Sequence, residues 1–521
     1  MIEYDPFGLP DGNVGNFDEI RGDLVAMPGR FGGLARDPND ARVRVIAGAL
    51  GSGKSLLLRR MRESRLQYDS SVASNVQRNE DLLTPLVREF SRRMDQTTSN
   101  TEYWSLLWRR AILRTAWSFV SNQAMYNRPD APQAKSALER LHKYESLLGS
   151  PANLRRASSQ VARLIRDIDG KEAFIDYLLD DRWEDVEGFL GTVLAHSPEL
   201  FIYVDDIDKN YAWSPGPWTQ CQRGLFYAVM HLAKDDSPLR NKLHVVVALR
   251  DVTLATVAAG EHGPQYAEQT HINYLRWTRE SAHEFLHLKL AKLPPSHFSD
   301  PQERTVESWI GISSVTNGRP NLLAEGIEGY MIRHTRLVPR DIVIMGNMIC
   351  ALQRESGRQR LAEDEIRDLV SDAARASIRS QLNVCASMML EDTPHSLVAD
   401  YDSDATEAKL DQQLGDKVTA IVGIIEQVGQ EVFTPKKCAL MDVRAQEIFR
   451  TQARLSNALW RNRLIGWVEV NGKVHFFEPR DYHGRSQLPR GSGVHRYVWH
   501  CMIHDIARNI EINGDAPYHP N

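Results

Sequence analysis

The run VRVIAGALGSGKSLLLRRM, residues 43–61, restricts the fold of this chain more than any other feature of its sequence. It begins with apolar residues typical of a buried strand, breaks at glycines and resumes as a helical pattern at a lysine and a serine. The octet GALGSGKS at 48–55 fits the spacing G-x-x-x-x-G-K-[ST]. Glycines allow successive backbone N–H groups to turn inward around a phosphate chain, and a helix N-terminus adds positive potential. The segment therefore predicts a strand, a phosphate-binding loop and a helix.

Two side chains of this loop have separate predicted tasks. Lys54 would reach the outer phosphates of a nucleoside triphosphate, and Ser55 would ligate Mg²⁺. An accidental glycine-rich turn would not need the strand, the helix and the Lys-Ser pair together, so we expect ATP and Mg²⁺ as cofactors. The residues predicted to bind the nucleotide are Gly48, Ala49, Leu50, Gly51, Ser52, Gly53, Lys54, Ser55 and Leu56.

Acidic residues follow a second apolar run, LFIYVDDIDKN at 200–210. A run of this length is typical of a parallel strand buried on both faces. Asp205 is predicted to hold the Mg²⁺ shell and Asp206 to polarise the attacking water, which makes both of them catalytic candidates together with Lys54. The alternative is that these acids cap the strand or open the next helix. Asp208 is assigned a structural or supporting role.

A third apolar run, KLHVVVALRDV at 242–252, ends in Arg250 and Asp251. An arginine at the C-terminal edge of such a strand, beside a phosphate site, can detect the terminal phosphate, so Arg250 is a further catalytic candidate. A surface ion pair between the two residues is the alternative. The sequence leaves both interpretations open.

Five motifs together resemble a known group of proteins: GALGSGKS, FIYVDDID, VVVALRD, YLRW and PRDIV. They are similar to the STAND and KAP-like P-loop ATPases, AAA+-related members of the ASCE class, and more narrowly to bacterial ATPases often found in phage-defence or conflict loci. The resemblance spans residues 40–350. It implies that a lid arginine approaches the phosphates, which makes Arg340 the last catalytic candidate. An ordinary helix-start residue after Pro339 is the alternative.

We expect an α/β fold: a doubly wound, parallel-sheet P-loop NTPase domain with a helical insertion, a helical lid and a C-terminal winged helix. Helical periodicity places the insertion at about 100–190. Its tryptophans Trp104, Trp108 and Trp117 are predicted to lie in the core and not on a ligand surface. The expected units are a wrapping segment (1–40), the NTPase domain (41–290), the lid (291–375), a helical linker (376–430) and the winged helix (431–521).

The C-terminal unit combines a hairpin signal with basic charge. Asn471-Gly472 stands between two alternating runs in GWVEVNGKVHFF, a pattern that predicts a hairpin or wing. A basic wing could bind duplex DNA through its phosphates, or dock on the acidic remainder of the molecule. An intramolecular or partner-protein role is favoured because no base-reading helix stands out nearby. The basic residues of PRDYHGRSQLPRGSGVHRY at 479–497 are Arg480, His483, Arg485, Arg490, His495 and Arg496.

Composition bounds the location and the partners. The 521 residues carry a formal net charge of −5, which argues against a surface that is basic throughout. Five cysteines lie far apart without zinc-ligand spacing, which favours a reducing cytoplasm. The N-terminal residues contain no signal-peptide core, and no run of about 18 apolar residues occurs. We therefore expect a cytoplasmic protein without a membrane partner.

These observations predict an ATP-binding and ATP-hydrolysing regulatory switch. The resemblance implies a component of an anti-phage or conflict system that acts through an effector protein or a homo-oligomer. The alternative is a DNA-directed ATPase of the origin-recognition or loader type, whose winged helix binds duplex DNA. Other P-loop classes fit less well, because the sequence lacks the Asn-Lys-x-Asp motif of GTPases and an LSGGQ-like signature of ABC ATPases.

Overall fold

The computed structural model describes most of the chain. The described residues are 5–9, 44–67, 71–73, 86–87, 89–90, 93–94, 100–123, 131–151, 156–205, 215–234, 236–258, 271–316, 324–391, 407–477, 487–491 and 493–511.

A five-stranded sheet lies at the centre of the N-terminal half. Every hydrogen-bonded pair of its strands is parallel, and the strand order is β2-β3-β4-β1-β5. The sheet is covered on both faces, since side chains of neighbouring residues point to opposite faces and pack into different hydrophobic clusters. Val45 and Ala47 belong to one hydrophobic cluster, and Ile46 belongs to the other. The strands are β1 (Val45–Gly48), β2 (Ser71–Ala73), β3 (Glu199–Val204), β4 (Leu243–Arg250) and β5 (Ile272–Leu275).

The described part of the long connection between β2 and β3 is mainly helical from residue 100 to 195, where the sequence predicted helices. Trp104, Trp108 and Trp117 are almost completely buried there, so their predicted place in the core is confirmed. α1 (Lys54–Gln67) follows the loop. The helices of the connection are α2 (Asn100–Asn122), α3 (Pro132–His142), α4 (Glu145–Leu148), α5 (Ala157–Asp167), α6 (Lys171–Leu179) and α7 (Arg182–Ala195).

After β3, two helices complete the layers on the sheet: α8 (Pro215–Leu232) and α9 (Asp251–Ala258). Four further helices form a smaller group that we call the helical unit: α10 (Arg279–Lys292), α11 (Val306–Ile310), α12 (Ile327–Arg333) and α13 (Pro339–Ser356). Two short antiparallel strands, β6 (Ser314–Thr316) and β7 (Ala324–Gly326), lie between α11 and α12.

The N-terminal residues 5–9 dock on this helical unit. Phe7 is fully buried, and its ring stacks on Trp309 at a centroid distance of 5.1 Å. Asn347 on α13 accepts from Phe7 N and donates to Gly8 O, both at 2.9 Å. The part of the predicted wrapping segment that the structure describes therefore contacts the helical unit.

The C-terminal half is built around one long helix, α14 (Glu363–Glu391). The predicted boundary between lid and linker, at 375/376, falls inside this helix. After it come α15 (Glu407–Val428), α16 (Pro435–Phe449), α17 (Leu455–Arg461) and a short 3-10 helix (Cys501–Ile503).

A four-stranded antiparallel sheet completes the C-terminal half, in the order β10-β9-β11-β8. The predicted hairpin is present: β9 and β10 pair, and Gly472 in the connecting turn has φ 85°. The four strands are β8 (Val432–Phe433), β9 (Ile465–Val468), β10 (Val474–His475) and β11 (Arg496–Trp499). None of the helices in the described ranges is both long and apolar enough to cross a membrane.

Candidate functional site

The loop between β1 and α1 has the backbone conformation that its glycines permit. Gly51 and Gly53 have φ values of 85° and 93°, a region that residues with a Cβ rarely adopt. Lys54 begins α1 and turns back over the loop: its Nζ donates to Gly48 O at 3.0 Å and to Ala49 O at 2.9 Å. The lysine is 8% exposed, so a buried cation lies against the loop at a helix N-terminus. This arrangement suits an anion.

Ser52 lies in the middle of the loop and is buried. Its carbonyl accepts a hydrogen bond from Trp277 Nε1 at 2.8 Å, which fixes the peptide from outside. Its Oγ is buried and has no hydrogen-bond partner in the described part of the chain. A Cβ on Gly48 would lie only 2.6 Å from this Oγ. The loop is thus a cradle with no room for a side chain at Gly48, and it holds an unsatisfied hydroxyl, which fits a phosphate ligand.

The strand order brings the other predicted residues to the same edge of the sheet. β4 lies between β1 and β3, and its last residue, Arg250, pairs with Gly48. Val204, the last residue of β3, pairs with Val247. Asp205 follows directly, so it lies at the carboxyl edge two strands from the loop, about 10 Å across the sheet.

Magnesium would have few protein ligands at this edge. Among the described residues, no three His, Cys, Asp or Glu side chains are grouped so that they could hold a metal. Mg²⁺ usually takes one or two protein ligands together with water and substrate phosphates, so Ser55 and Asp205 would be sufficient. Asp206 and Asp208 lie outside the described residues, so their roles stay predictions.

A buried polar contact holds the end of β4. Gln222 on α8 is fully buried, and its Oε1 accepts from Arg250 N at 3.3 Å and from Thr253 Oγ1 at 2.8 Å. The predicted third strand was drawn to 252, but α9 begins at Asp251. Asp251 Oδ1 accepts from Val252 N at 2.9 Å, and an acid in the first turn favours a helix start.

The helical unit contacts the loop through the start of α13. Arg340 N donates to Gly51 O at 3.3 Å. A Cβ built on Gly51 would lie 2.7 Å from Arg340 Cβ and 3.1 Å from its Cδ, so the stem of Arg340 runs along the loop. The structure therefore brings Arg340 to the loop from a position almost 290 residues later in the sequence.

A second arginine, Arg336, lies just before α13 and was not predicted. Its Nε and Nη2 donate to the two carboxylate oxygens of Asp341 at 3.0 and 2.8 Å, and its backbone N donates to Oδ2 at 3.1 Å. Burial alone would raise the pKa of Asp341, but the charge and hydrogen bonds of Arg336 outweigh it and hold the pKa below its ordinary value. The pair fixes the connection between α12 and α13.

A cleft opens where the loop, β4 and the C-terminal unit meet. The sequence predicted that Ala49, Leu50 and Arg250 belong to a nucleotide site. It did not predict three arginines from later in the chain that also line the cleft: Arg336, Arg461 and Arg463. The sequence marks them weakly, since Arg336 stands near Pro339 and the other two stand at the end of a helix. The cleft is lined by Ala49, Leu50, Arg250, Asp251, Val252, Arg336, Gln381, Val384, Met388, Arg461, Asn462 and Arg463.

Arg490 of the basic stretch is engaged within the C-terminal unit. Its Nη2 contacts Asp442 on α16 and donates to Ser456 Oγ at 2.9 Å. Asp442 is 4% exposed and also accepts from Ser456 N and Oγ, each at 2.8 Å. Arg490 therefore joins α16 to α17. His495 and Arg496 are exposed. The other basic residues, Arg480, His483 and Arg485, lie outside the described residues.

No protein-family model and no curated protein sequence matches the chain. In structure, the chain is similar to the ORC2 protein of Aeropyrum pernix, solved as ADPNP-ADP complexes. The superposition covers 86% of this chain and 84% of that chain at 10% sequence identity, with a TM-score of 0.30.

Proposed function

We propose that the protein is a switch that binds and hydrolyses ATP at the loop Gly48–Ser55. The observation that supports this function most strongly is Lys54, a buried lysine at a helix N-terminus whose Nζ lies against the carbonyl oxygens of its own glycine-rich loop. These contacts hold the ammonium group at the loop, where the phosphates of a nucleotide could accept from it.

The chain's own residues divide the work of the proposed reaction. Backbone N–H groups of the loop and Lys54 would bind the phosphates, and Ser55 with Asp205 would hold Mg²⁺, which neutralises phosphate charge. Asp206 would orient the attacking water. Arg250, on the strand next to the loop, would detect the terminal phosphate. Arg340, whose stem lies along Gly51, would connect the phosphates to the helical unit.

Replacing Lys54 tests the proposed site. We expect Lys54→Ala to abolish ATP binding measured by calorimetry, because the variant loses the charged donor aimed at the outer phosphates. Lys242→Ala is the matched control: Lys242 Nζ also donates to a backbone carbonyl, Ser197 O at 3.0 Å, but at the opposite edge of the sheet. Unchanged ATP affinity in Lys54→Ala would refute the proposed function.

The resemblance of the motifs to ATPases of conflict loci adds a proposal about partners. A switch of this kind would pass the state of its nucleotide to an effector protein or to further copies of itself. Size-exclusion chromatography with light scattering, with and without Mg²⁺ and ATP, tests the second possibility directly.

A DNA-directed ATPase is the second candidate. The observation that favours it is a group of exposed basic residues beside the hairpin: Lys473, His495 and Arg496. They lie on both sides of β9: Val468 pairs with Val474, the residue after Lys473, and with Arg496, the residue after His495. If duplex DNA raises ATP turnover several-fold at low salt, and this stimulation falls steeply with added salt, the DNA-directed function replaces the first.

A further inference from the structure

Arg463 occupies a backbone position that usually belongs to glycine. It follows the C-terminal end of α17 with φ 61°. Arg463 N donates to Trp460 O and Leu464 N donates to Leu459 O, both at 2.9 Å, which is the hydrogen-bond pattern of a Schellman motif. A side chain in this left-handed position costs about 1 kcal/mol relative to glycine. The chain carries an arginine here in spite of that cost.

The side chain of Arg463 reaches back to the nucleotide-binding half. Its Nη2 donates to Asp251 Oδ2 at 3.0 Å across 212 residues of sequence. The Asp251 side chain is 8% exposed, and its other oxygen accepts from Val252 N, so the carboxylate is held in place. Arg463 Nε is also buried, but it has no hydrogen-bond partner in the described part of the chain. Asp251 therefore accepts from one nitrogen of the guanidinium and leaves Nε unsatisfied.

The ion pair lies in the wall of the cleft that Ala49 and Leu50 of the loop also line. Asp251 follows Arg250, which pairs with Gly48 at the start of the loop. Arg336 and Arg461 line the same cleft as Arg463, and Asp251 is the acid that accepts from Arg463 there.

We propose that Arg463 is a specificity-determining residue that distinguishes a nucleoside triphosphate from a diphosphate. Asp251 holds Arg463 when the terminal phosphate is absent, and the terminal phosphate takes Arg463 from Asp251 when a triphosphate binds. A phosphate can accept both Nε and Nη donors of one arginine, whereas Asp251 accepts only from Nη2 here. This inference rests on the proposed function, because it assumes that the nucleotide lies at the loop.

The two partners of the ion pair are expected to act in opposite directions on affinity. Asp251→Asn removes the competing charge while an amide oxygen can still accept from Val252 N, so it should tighten binding of a non-hydrolysable ATP analogue about fivefold. Arg463→Gly removes the side chain and suits the backbone conformation, so it should weaken binding of the analogue about tenfold without unfolding the turn. The affinity for ADP should change by less than about twofold in both variants, since ADP lacks the terminal phosphate.

The double variant separates this competition from simple charge repulsion. If Arg463 mediates the effect, Asp251→Asn should lose its gain in analogue affinity in the Arg463→Gly background. Arg450→Gly is the matched control, because Arg450 also has a left-handed backbone at a helix end, with φ 51°, and its exposed side chain does not line the cleft. It should change neither affinity. Calorimetry with the analogue and with ADP, each with Mg²⁺, measures all variants.

Two results would overturn the inference about Arg463 without refuting the proposed function, provided that the wild-type protein binds both nucleotides. One is a gain from Asp251→Asn that persists without Arg463. The other is an equal effect of Arg463→Gly on the ATP analogue and on ADP, or no effect on either. A wild-type protein that binds neither nucleotide would instead refute the proposed function and this inference with it.

Discussion

Asp205 and Asp206 are adjacent residues with different predicted tasks, so their amide variants should fail in different ways. Asp206→Asn should retain ATP binding and lose turnover, because an amide fills the same space but cannot draw a proton from water. Asp205→Asn should weaken the dependence of ATP binding on Mg²⁺, because one ligand of the metal shell is lost. Calorimetry with and without Mg²⁺, together with a phosphate-release assay, measures both effects. Parental turnover in both variants would contradict the assignment of this acidic strand end.

The sequence was sufficient for local conformation that depends on neighbours along the chain. The turn at Gly51 and Gly53 and the helix start at Lys54 could be predicted from the spacing of the motif, whereas the roles of these residues toward a nucleotide stay predictions. Arg463 could not be predicted, since its partner Asp251 is 212 residues away and no local pattern records which helix end meets which strand end. Arg336 was missed for a related reason: Arg340, four residues later, fitted the expected motif.

The contact between the loop and α13 depends on the absence of a side chain at Gly51. Gly51→Ala should destabilise the protein by about 2 kcal/mol or more and weaken ATP binding, because a Cβ would stand 2.7 Å from Arg340 Cβ at a φ of 85°. Gly472→Ala is the control: this hairpin glycine also has φ 85°, but its Cβ would meet nothing within 4 Å. It should cost about 1 kcal/mol, the price of the backbone alone.

Thermal unfolding and ATP calorimetry on the two variants give the comparison. An equal loss of stability in Gly51→Ala and Gly472→Ala, with unchanged ATP affinity in both, would show that α13 does not depend on close contact with the loop.

Single elements were predictable where apolar runs mark them. The runs at 43–47, 200–204 and 242–250 correspond to β1, β3 and β4. The order of these strands could not be read from the runs, because pairing is decided by contacts between distant segments. Strand β8 has only two residues, which is too short for a periodic pattern. Strand β11 pairs with β9 and β8, but both partners are distant in the sequence, so no local pattern indicates this pairing.

At the scale of the whole molecule, a buried carboxyl joins the long helix α14 to the C-terminal end. Ser371 Oγ on α14 donates to Asp505 Oδ1 at 2.7 Å. Oδ2 has no hydrogen-bond partner in the described ranges, and His334 Nε2 lies 3.8 Å from it. Burial raises the pKa of Asp505 to about 6, against the opposing effects of the Ser371 hydrogen bond and two nearby arginines.

This shift predicts a pH dependence of stability with a definite sign. Between the ordinary pKa of Asp and about 6, the folded state binds the Asp505 proton more tightly than the unfolded state, so this group's contribution to stability falls as the pH rises through this range. Asp505→Asn replaces the titrating carboxyl with a neutral amide, so the variant does not lose this contribution to stability as the pH rises. Relative to wild type, the variant should therefore gain about 2 kcal/mol in stability between pH 4 and pH 8.

The comparison must be made between the two proteins at each pH, because other groups titrate in the same range. Burial lowers the pKa of His334 and of His500, so these side chains favour the folded state at higher pH, opposite to Asp505. They are present in both proteins and largely cancel in the difference. A difference in thermal unfolding midpoint that is the same at pH 4.5 and pH 8 would contradict a raised pKa of Asp505.

The helix α14 contributes side chains to three hydrophobic clusters: Ile366 to that of the helical unit, Val384 to that of the insertion and Ile378 to that of the C-terminal unit. With 29 residues it is about 44 Å long. A stiff lever of this length converts a small angle into a large displacement. A tilt of about 10° at its first turn would move its last turn by roughly 8 Å, more than the width of a helix backbone. A small tilt of α14 that keeps α13 in contact with Gly51 would therefore be enough to change which residues pack against Met388 near the end of the helix.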